Sequence, residues 1–219
     1  MRITDRKSVS RYLYVIFTAL LFVQCSKDDD FVYPEVLTDF MDVYTNAEAQ
    51  IDRVQADASE MLYLQNVLSA KGLKADTVYR AVGMYAVPGE EPLTALYSLT
   101  LIYAQTPFKL EGELAVKTDP LNIESVYRGG TYLNVVAQPM MQTKPHGFAF
   151  VQDSLSLKTD GHAVLYLKLA HNQNGDRESF PRRVYLSVPL KGYGLKTGDS
   201  ICFRANIYEK GVQMWKVPY

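Results

Sequence analysis

From Val36 onward the chain consists of short segments in which apolar and polar residues alternate, each interrupted by Gly, Pro, Asn or Asp. Because successive side chains of a strand point to opposite faces, this alternation places one face in a core and the other in water. Near the C-terminus, for example, Ile201, Phe203, Ala205 and Ile207 share one face. The pattern predicts an all-β protein, and the 16 tyrosines agree with this, since aromatic residues favour strands.

The first half of the alternating region predicts a small barrel. Its predicted strands are residues 36–44, 50–56, 61–68, 78–87 and 93–103. The segment 61–68 is open to a second interpretation, because Ser59 could cap a helix there that Gly72 would end. We take it as a strand. Five strands in so short a stretch are typical of a Greek-key barrel of the OB type, which we place at residues 34–109.

The second half, residues 110–219, predicts an immunoglobulin-like β-sandwich of about seven strands, each with one apolar face. Two of its alternating segments flank Gly129-Gly130. Two glycines between strands indicate a two-residue hairpin turn, because a type I′ turn needs positive φ at both positions. This turn would set Tyr127 opposite Tyr132 and Val126 opposite Leu133 in the hairpin.

The N-terminus predicts export and lipid attachment. Four basic residues lie among residues 2–11, and the apolar run 12–23 then leads to Cys25 and an acidic stretch. At about 1.5 Å per residue the apolar run spans roughly 18 Å as a helix, short of a hydrocarbon core of about 30 Å. We therefore predict a lipoprotein signal peptide at 1–24, acylation of Cys25 and an acidic tether at 25–33. The alternative is that Cys25 merely follows an ordinary signal peptide.

The predicted localisation and the net charge limit the classes of partner that we expect. The Cys25 segment resembles the lipobox of Bacteroides-type lipoproteins, in which an acidic run after the cysteine is a signal for the outer face of the outer membrane. The resemblance implies an outer-membrane protein facing the cell exterior. The whole chain has a formal net charge of −1, and removal of four basic residues and one acid with the signal leaves −4. Such a protein is a poor candidate for nucleic acid.

Several segments of the chain resemble the NigD-like lipoprotein family. They are residues 119–127 (DPLNIESVY), 130–134 (GTYLN), 169–176 (LAHNQNGD), 183–187 (RVYLS) and 198–200 (GDS), together with 76–80 (DTVYR) in the first half. The resemblance implies a lipid anchor, an N-terminal OB-like domain and a C-terminal β-sandwich. It implies no established activity, although the family takes its name from a bacteriocin gene cluster.

A candidate ligand-binding face follows from the strand phasing of the sandwich. Six residues are predicted to project to solvent together: Tyr166, Lys168, Arg183, Tyr185, Arg204 and Tyr208. Aromatic rings beside Arg and Lys could stack on sugars or hold a protein. The simpler interpretation is that solvent-facing strands commonly carry Tyr, Lys and Arg.

The polar loop after residue 170 offers a weaker metal hypothesis. The alternating side chains of Asn172, Asn174, Asp176 and Glu178 resemble the oxygen ligands of a calcium loop. The required glycine and the bidentate glutamate are missing from it, and Asn-Gly-Asp is common in turns. We therefore predict no metal site. His171 continues a leucine face and is predicted to be a rim histidine bonded to its loop, while His146 and His162 lie in separate turns.

The sequence contains no G-x-S-x-G, H-E-x-x-H or P-loop motif and no Cys-His arrangement at a recognisable spacing. Glu111 and Glu113 could form a glycosidase pair, but two acids in a charged linker are usually only solvated. Cys202 is predicted to be a small, space-filling side chain in a strand. We therefore expect a non-catalytic module without a cofactor that binds an extracellular glycan or an envelope protein. The alternatives are a carboxylate-based hydrolase and a bacteriocin-associated immunity or handling protein. The sequence leaves the oligomeric state open.

Overall fold

A computed structural model describes residues 34–57, 59–110 and 115–219. The predicted signal peptide, Cys25 and the tether up to residue 33 lie outside the described residues, as do Glu111 and Glu113. Residues 36–219 form one compact unit, which holds both predicted halves.

The first half forms a six-stranded sheet curled into a half-barrel, which we call the N-terminal sheet. Its strands are β1 (Val36–Thr45), β2 (Gln50–Ala56), β3 (Leu62–Ser69), β4 (Val78–Ala86), β5 (Leu93–Thr94) and β6 (Leu96–Leu101). Their order is β5-β3-β2-β1-β4-β6. The strand interpretation of residues 61–68 is confirmed by β3. In this sheet, Met41, Val43, Ile51 and Val54 form a core that is almost fully buried.

The second half is a sandwich of two sheets. Its strands are β7 (Tyr103–Ala104), β8 (Phe108–Lys109), β9 (Asn122–Gly129), β10 (Tyr132–Gln138), β11 (Met140–Met141), β12 (Gly147–Leu157), β13 (Ala163–Asn172), β14 (Phe180–Pro181), β15 (Val184–Pro189), β16 (Ser200–Ile207) and β17 (Gly211–Pro218), with a 3₁₀ helix at Lys191–Tyr193. The first sandwich sheet has the order β7-β15-β10-β9 and the second β17-β16-β13-β12-β8, while β11 and β14 pair separately.

The sandwich core matches the predicted strand faces. Leu165, Leu167 and Leu169 of β13 are buried against Ile201 and Phe203 of β16, as the alternation predicted. Burial of such side chains contributes about 1.5–3 kcal/mol each, so these inward faces are the main stabilising feature of the sandwich. The predicted fold class is confirmed: the protein is all-β, with a curled N-terminal sheet followed by a β-sandwich.

The hairpin at Gly129-Gly130 exists, but its predicted register is wrong by two residues. Tyr132 pairs with Gly129, so that Asn134, and not Tyr132, lies opposite Tyr127. The turn consists of Gly130 and Thr131, and Gly130 has φ +53°. Gly129 is needed for a different reason: a side chain there would overlap the Asp57 carboxylate of the N-terminal sheet. The close approach of Asp57, which follows β2, and not the hairpin turn, explains Gly129.

The outer face of the first sandwich sheet packs against the N-terminal sheet. Phe40 and Val82 of the N-terminal sheet contact Val136 of β10, and the Phe40 ring meets the Tyr185 ring edge-on at 5.7 Å. The strands β7 and β8 precede the predicted domain boundary at residue 110, yet β7 pairs with β15 and β8 pairs with β12. The chain therefore joins the sandwich at residues 103–109, before the predicted boundary.

Candidate binding site

A cleft of about 530 Å³ lies where the chain passes from the N-terminal sheet to the sandwich. One wall is the segment 100–103, and the other walls come from His146 and Phe148 of the second sandwich sheet region and from residues 183–186. We call this space the crossover cleft. Its volume falls within the range of about 300–1,000 Å³ that is usual for binding pockets.

Backbone hydrogen bonds at both ends fix the crossover wall. The Ile102 amide donates to the Arg80 carbonyl at 2.9 Å, and the Gln105 amide donates to the Ser187 carbonyl at 3.3 Å. The segment is thus tied to β4 of the N-terminal sheet on one side and to β15 of the sandwich on the other. A wall held at both ends presents a pre-formed surface, which reduces the entropy cost of binding.

The chemistry of the crossover cleft is largely apolar. Arg183 lies at its rim, but its Nε and Nη2 donate to the two carboxylate oxygens of Glu124, each at 2.8 Å. Because that guanidinium already has a bidentate partner, the surfaces left to a ligand are chiefly those of Leu101, Tyr103 and Phe148. Tyr103 is 61% exposed. The cleft is suited to an apolar or aromatic group.

A buried ionic group, which we call the junction cluster, lies beside the cleft between the N-terminal sheet and the sandwich. Its central residue is Arg80 of β4, whose side chain is 2% exposed. The guanidinium donates to Asp57 at 2.6 Å and to Asp42 at 3.1 Å, and it also reaches Asn134 at 3.1 Å and Ser187 at 3.3 Å. Two carboxylates from the N-terminal sheet and two neutral groups from the sandwich thus share one cation.

Burial and the neighbouring charges of the junction cluster shift the pKa values of Asp42 and Tyr132. Burial raises the pKa of Asp42, although the nearby Arg80 opposes that shift. Burial, together with the negative charge of Asp42, raises the pKa of Tyr132 to about 12. The Arg80 guanidinium lies 3.9 Å from the centre of the Tyr132 ring. Since Arg80 is shared by Asp42 and Asp57, these two acids serve as its counter-ions and do not form a free acid–base pair.

A second buried group, the histidine cluster, joins residues 119, 146, 171 and 176. His171 is almost fully buried, and its Nδ1 lies 2.8 Å from the Asp119 carbonyl. Because a carbonyl only accepts, Nδ1 carries the proton, and the His171 Nε2 accepts from Nδ1 of His146 at 2.9 Å. Burial lowers the pKa of His171, consistent with a neutral ring. The prediction of a rim histidine bonded to its loop is wrong: His171 lies in the core, and its ring bonds to Asp119 and His146, which belong to other segments of the chain.

The carboxylate of Asp176 holds the loop at residues 142–144 through backbone hydrogen bonds. Its oxygens accept the backbone amides of Gln142 at 2.6 Å, Thr143 at 3.2 Å and Lys144 at 3.1 Å. Burial would raise its pKa, but these amides outweigh that effect and hold the pKa well below its ordinary value. His146 Nε2 lies 3.5 Å from this carboxylate.

Three of the four residues of the calcium alternative, Asn172, Asn174 and Asp176, lie at or beside a turn that follows β13. Asp176 binds backbone amides, Asn172 accepts the Asn174 amide at 2.9 Å, and Asn174 has φ +57°. Among the described residues, no three His, Cys, Asp or Glu side chains are grouped so that they could hold a metal ion. The oxygens of Asp176 and Asn172 therefore have a sufficient structural role, and the calcium alternative gains nothing from the geometry.

The six residues of the predicted binding face do not form one surface. Tyr166, Lys168 and Arg204 lie on the second sandwich sheet, where Lys168 and Arg204 are cross-strand neighbours that both contact Asp153. Arg183 and Tyr185 lie at the first sandwich sheet and border the crossover cleft. The Tyr208 hydroxyl is buried. The assignment of a ligand to any of the six stays a prediction.

Sequence reasoning missed the crossover cleft and the junction cluster. The cleft depends on how two halves of the chain pack, which no local pattern encodes. The junction cluster did leave a signal, because Arg80 is the only charged residue in the apolar strand β4. A lone charge in such a strand indicates either an edge or a buried partner. Cys202 is buried in β16, in agreement with its predicted space-filling role.

Comparison with known proteins gives the same architecture. Residues 105–219 match the family described as NigD-like C-terminal beta sandwich domain. A NigD-like immunity protein from Bacteroides caccae is 26% identical, with a TM-score of 0.67 over 85% of this chain and 93% of that protein. A putative lipoprotein from Bacteroides fragilis has a TM-score of 0.59 at 14% identity, covering 85% of this chain and 98% of its own, which shows a shared fold.

A third structure, a putative toxin-related protein from Parabacteroides distasonis, has a TM-score of 0.60 at 16% identity over 84% of this chain and 93% of that one. No curated protein matches the chain. Within the described ranges, no helix is long and apolar enough to span a membrane.

Proposed function

The chain belongs to the NigD-like family, and we propose that it is a lipid-anchored, non-catalytic binding protein of the outer membrane that holds a protein partner at the cell exterior through the crossover cleft. The anchor would be acylated Cys25, and residues 26–33 would separate the folded unit from the membrane. Incorporation of labelled palmitate into the wild-type chain, and not into Cys25→Ala, tests the anchor. Equal labelling of both chains would contradict it.

The observation that carries the binding proposal is the apolar, pre-formed crossover cleft with the exposed Tyr103 at its wall. Aromatic side chains that are exposed beside a fixed pocket are typical anchors of protein interfaces. A glycan is the less favoured ligand, because sugar hydroxyls need several converging polar groups, and Arg183 is already bound by Glu124. The cleft therefore favours an apolar side chain of a polypeptide.

The experiment compares two exposed tyrosines. Partners cross-linked to the anchored protein on intact cells are quantified for wild type, Tyr103→Ala and Tyr63→Ala. Tyr63 is 52% exposed on β3, away from the cleft, so it is a matched control for the loss of a surface ring. Tyr103→Ala should weaken capture of the same partner by about tenfold, while Tyr63→Ala should not. A glycan that binds the wild type and loses affinity in Tyr103→Ala would show that the ligand class is wrong.

The non-catalytic part of the proposal is supported by the junction cluster. The hydrolase alternative needs one carboxylic acid and one carboxylate that face a substrate, whereas Asp42 and Asp57 both face Arg80. Hydrolysis of surface glycans or peptides by the purified protein that disappears in Asp42→Asn, with the fold intact, would overturn this part.

A second candidate function is immunity to a bacteriocin. It is favoured by the 26% identity to a protein described as a NigD-like immunity protein. A secreted peptide with apolar side chains would suit the same cleft. If deletion of the gene leaves bacteriocin sensitivity and production unchanged, this candidate fails while the general binding proposal does not.

A further inference from the structure

Among the residues that the structure describes, no strand pairs with the outer edge of β6. Within the described ranges, β6 is the last strand of the N-terminal sheet, and its one pairing partner is β4. Residues 93–106 contain neither a charged residue nor a proline. Exposed edges in exported proteins usually carry Lys, Pro or a bulge, because a bare edge offers hydrogen-bonding groups to any extended chain. The β6 bulge lies at Tyr97, so residues 98–101 are regular.

The pairing with β4 identifies the free backbone groups. The Ile102 amide donates to the Arg80 carbonyl, which makes these two residues a hydrogen-bonded pair. Since such pairs alternate along an antiparallel ladder, Thr100 also bonds to β4, whereas the amides and carbonyls of Leu99 and Leu101 point outward. β6 thus offers two residues, spaced as an added strand requires.

Four other edge strands of the described sheets, β17, β9, β5 and β8, are short or carry protecting residues. In β17 the Tyr219 amide donates to Asp199, so by the same alternation Met214, Lys216 and Pro218 point outward. A lysine and a proline therefore occupy the free edge of β17. The edge strand β9 carries Glu124 and Arg128. β5 and β8 are two residues long, and each follows a proline.

The open edge is continuous with the crossover cleft. Thr100 and Leu101 belong to β6 and also line the cleft. A strand added to β6 would therefore reach a space of about 530 Å³, which has room for a few side chains but not for a second folded sheet. This geometry favours an extended peptide segment over a second copy of this chain.

We propose that β6 is a strand-addition site: an extended, uncharged segment of a partner polypeptide pairs with the outward groups of Leu99 and Leu101 and places an apolar side chain in the crossover cleft. The proposal rests on the proposed binding function and specifies its mode. Main-chain hydrogen bonds would supply affinity, and the cleft would supply selectivity for an apolar side chain.

The test uses synthetic ten-residue peptides that alternate Thr with Val, Leu, Phe or Tyr, each in a plain form and in a form N-methylated at alternate residues. N-methylation removes the donors of one peptide edge and leaves the side chains in place. We expect plain peptides to bind about tenfold more tightly than methylated ones. Bound peptide should slow hydrogen exchange of the Leu99 and Leu101 amides. Equal binding of both forms, no binding of any plain peptide or unchanged exchange at these two amides would overturn the proposal.

Two proline variants add a matched comparison. Leu101→Pro removes an outward amide of β6, and Met214→Pro removes an outward amide of β17, so each spares the bonds inside its sheet. Only Leu101→Pro should weaken peptide binding, by about tenfold. If Leu101→Pro fails to fold, the comparison of plain and methylated peptides on the wild type decides. A partner whose capture depends on Tyr103 but not on Leu101→Pro would refute strand addition and leave the proposed function standing.

Discussion

The junction cluster and the histidine cluster bury polar groups in different ways. The junction cluster places a full positive charge, Arg80, between two packed halves and balances it with Asp42 and Asp57. The histidine cluster lies within the sandwich and uses a neutral His171, while its two carboxylates, Asp119 and Asp176, accept backbone amides. A buried ion pair locks two layers in one arrangement but leaves an uncompensated charge if one member is lost. The two clusters should therefore respond very differently to mutation.

The largest effect is expected from Arg80→Met. The substitution leaves Asp42 and Asp57 close together without their shared cation, and the Ser187 hydroxyl loses the donor Nε of Arg80. Loss of one partner of a buried ion pair usually costs about 3–5 kcal/mol in the free energy of unfolding. Urea denaturation measures the change. The control is Arg53→Met, because the Arg53–Asp52 pair is partly exposed and should contribute below about 1 kcal/mol. Equal losses would mean that the junction cluster does not lock the halves.

A smaller loss is expected from Gly129→Ala, which tests the close approach within the junction cluster. The added methyl group would overlap the Asp57 carboxylate and lie 2.6 Å from the Asn134 side-chain nitrogen. Overpacking of this kind costs about 1–3 kcal/mol. Gly89→Ala is the matched control, because no atom lies within 4 Å of the position its methyl group would take. If both variants unfold at the same urea concentration as the wild type, the two halves are not held this closely in solution.

The histidine cluster should lose a similar or smaller amount in His171→Leu. Leucine fills most of the same volume, but the Asp119 carbonyl and Nδ1 of His146 lose their partner. Unsatisfied buried polar groups cost about 1–3 kcal/mol. Urea denaturation at neutral pH should place this variant above Arg80→Met in stability. If His171→Leu were less stable than Arg80→Met, the charged junction cluster would not be the more sensitive of the two clusters.

The smallest expected effect is a dependence of stability on pH that comes from the histidine cluster. Burial lowers the pKa of His171 below its ordinary 6.5, so the unfolded chain takes up a proton first as the pH falls. Stability should therefore decline as the pH drops below about 6.5, and this step should be absent in His171→Leu. The low pKa of Asp176 adds a loss only below about pH 4. Unfolding free energies that are flat between about pH 7 and about pH 5 in the wild type would contradict the first step.

Much of each sheet was predictable because strand formation follows from local alternation. Residues 201–207 and 163–171 have the inward faces that their sequence indicates, since the apolar positions recur with period two. The hairpin after Arg128 was predicted with the wrong register, because Gly129 is required by its contact with Asp57, more than seventy residues earlier in the chain, and not by the turn. The six residues of the predicted binding face are also separated by tertiary packing. Tyr185 lies on the outer side of β15, and that side packs against Phe40 of the N-terminal sheet.

The sequence by itself determined the strands, their apolar faces, the two-part β architecture and the family resemblance, because these depend on neighbours within a few residues. The tertiary structure alone decided that Arg80 meets two aspartates, that His146 meets His171, and that residues 100–103 wall a cleft beside an open edge. Those contacts join residues that are far apart along the chain. The physical reason is that the sequence gives the chemical type of each residue, whereas the packing of whole sheets determines which residues come into contact.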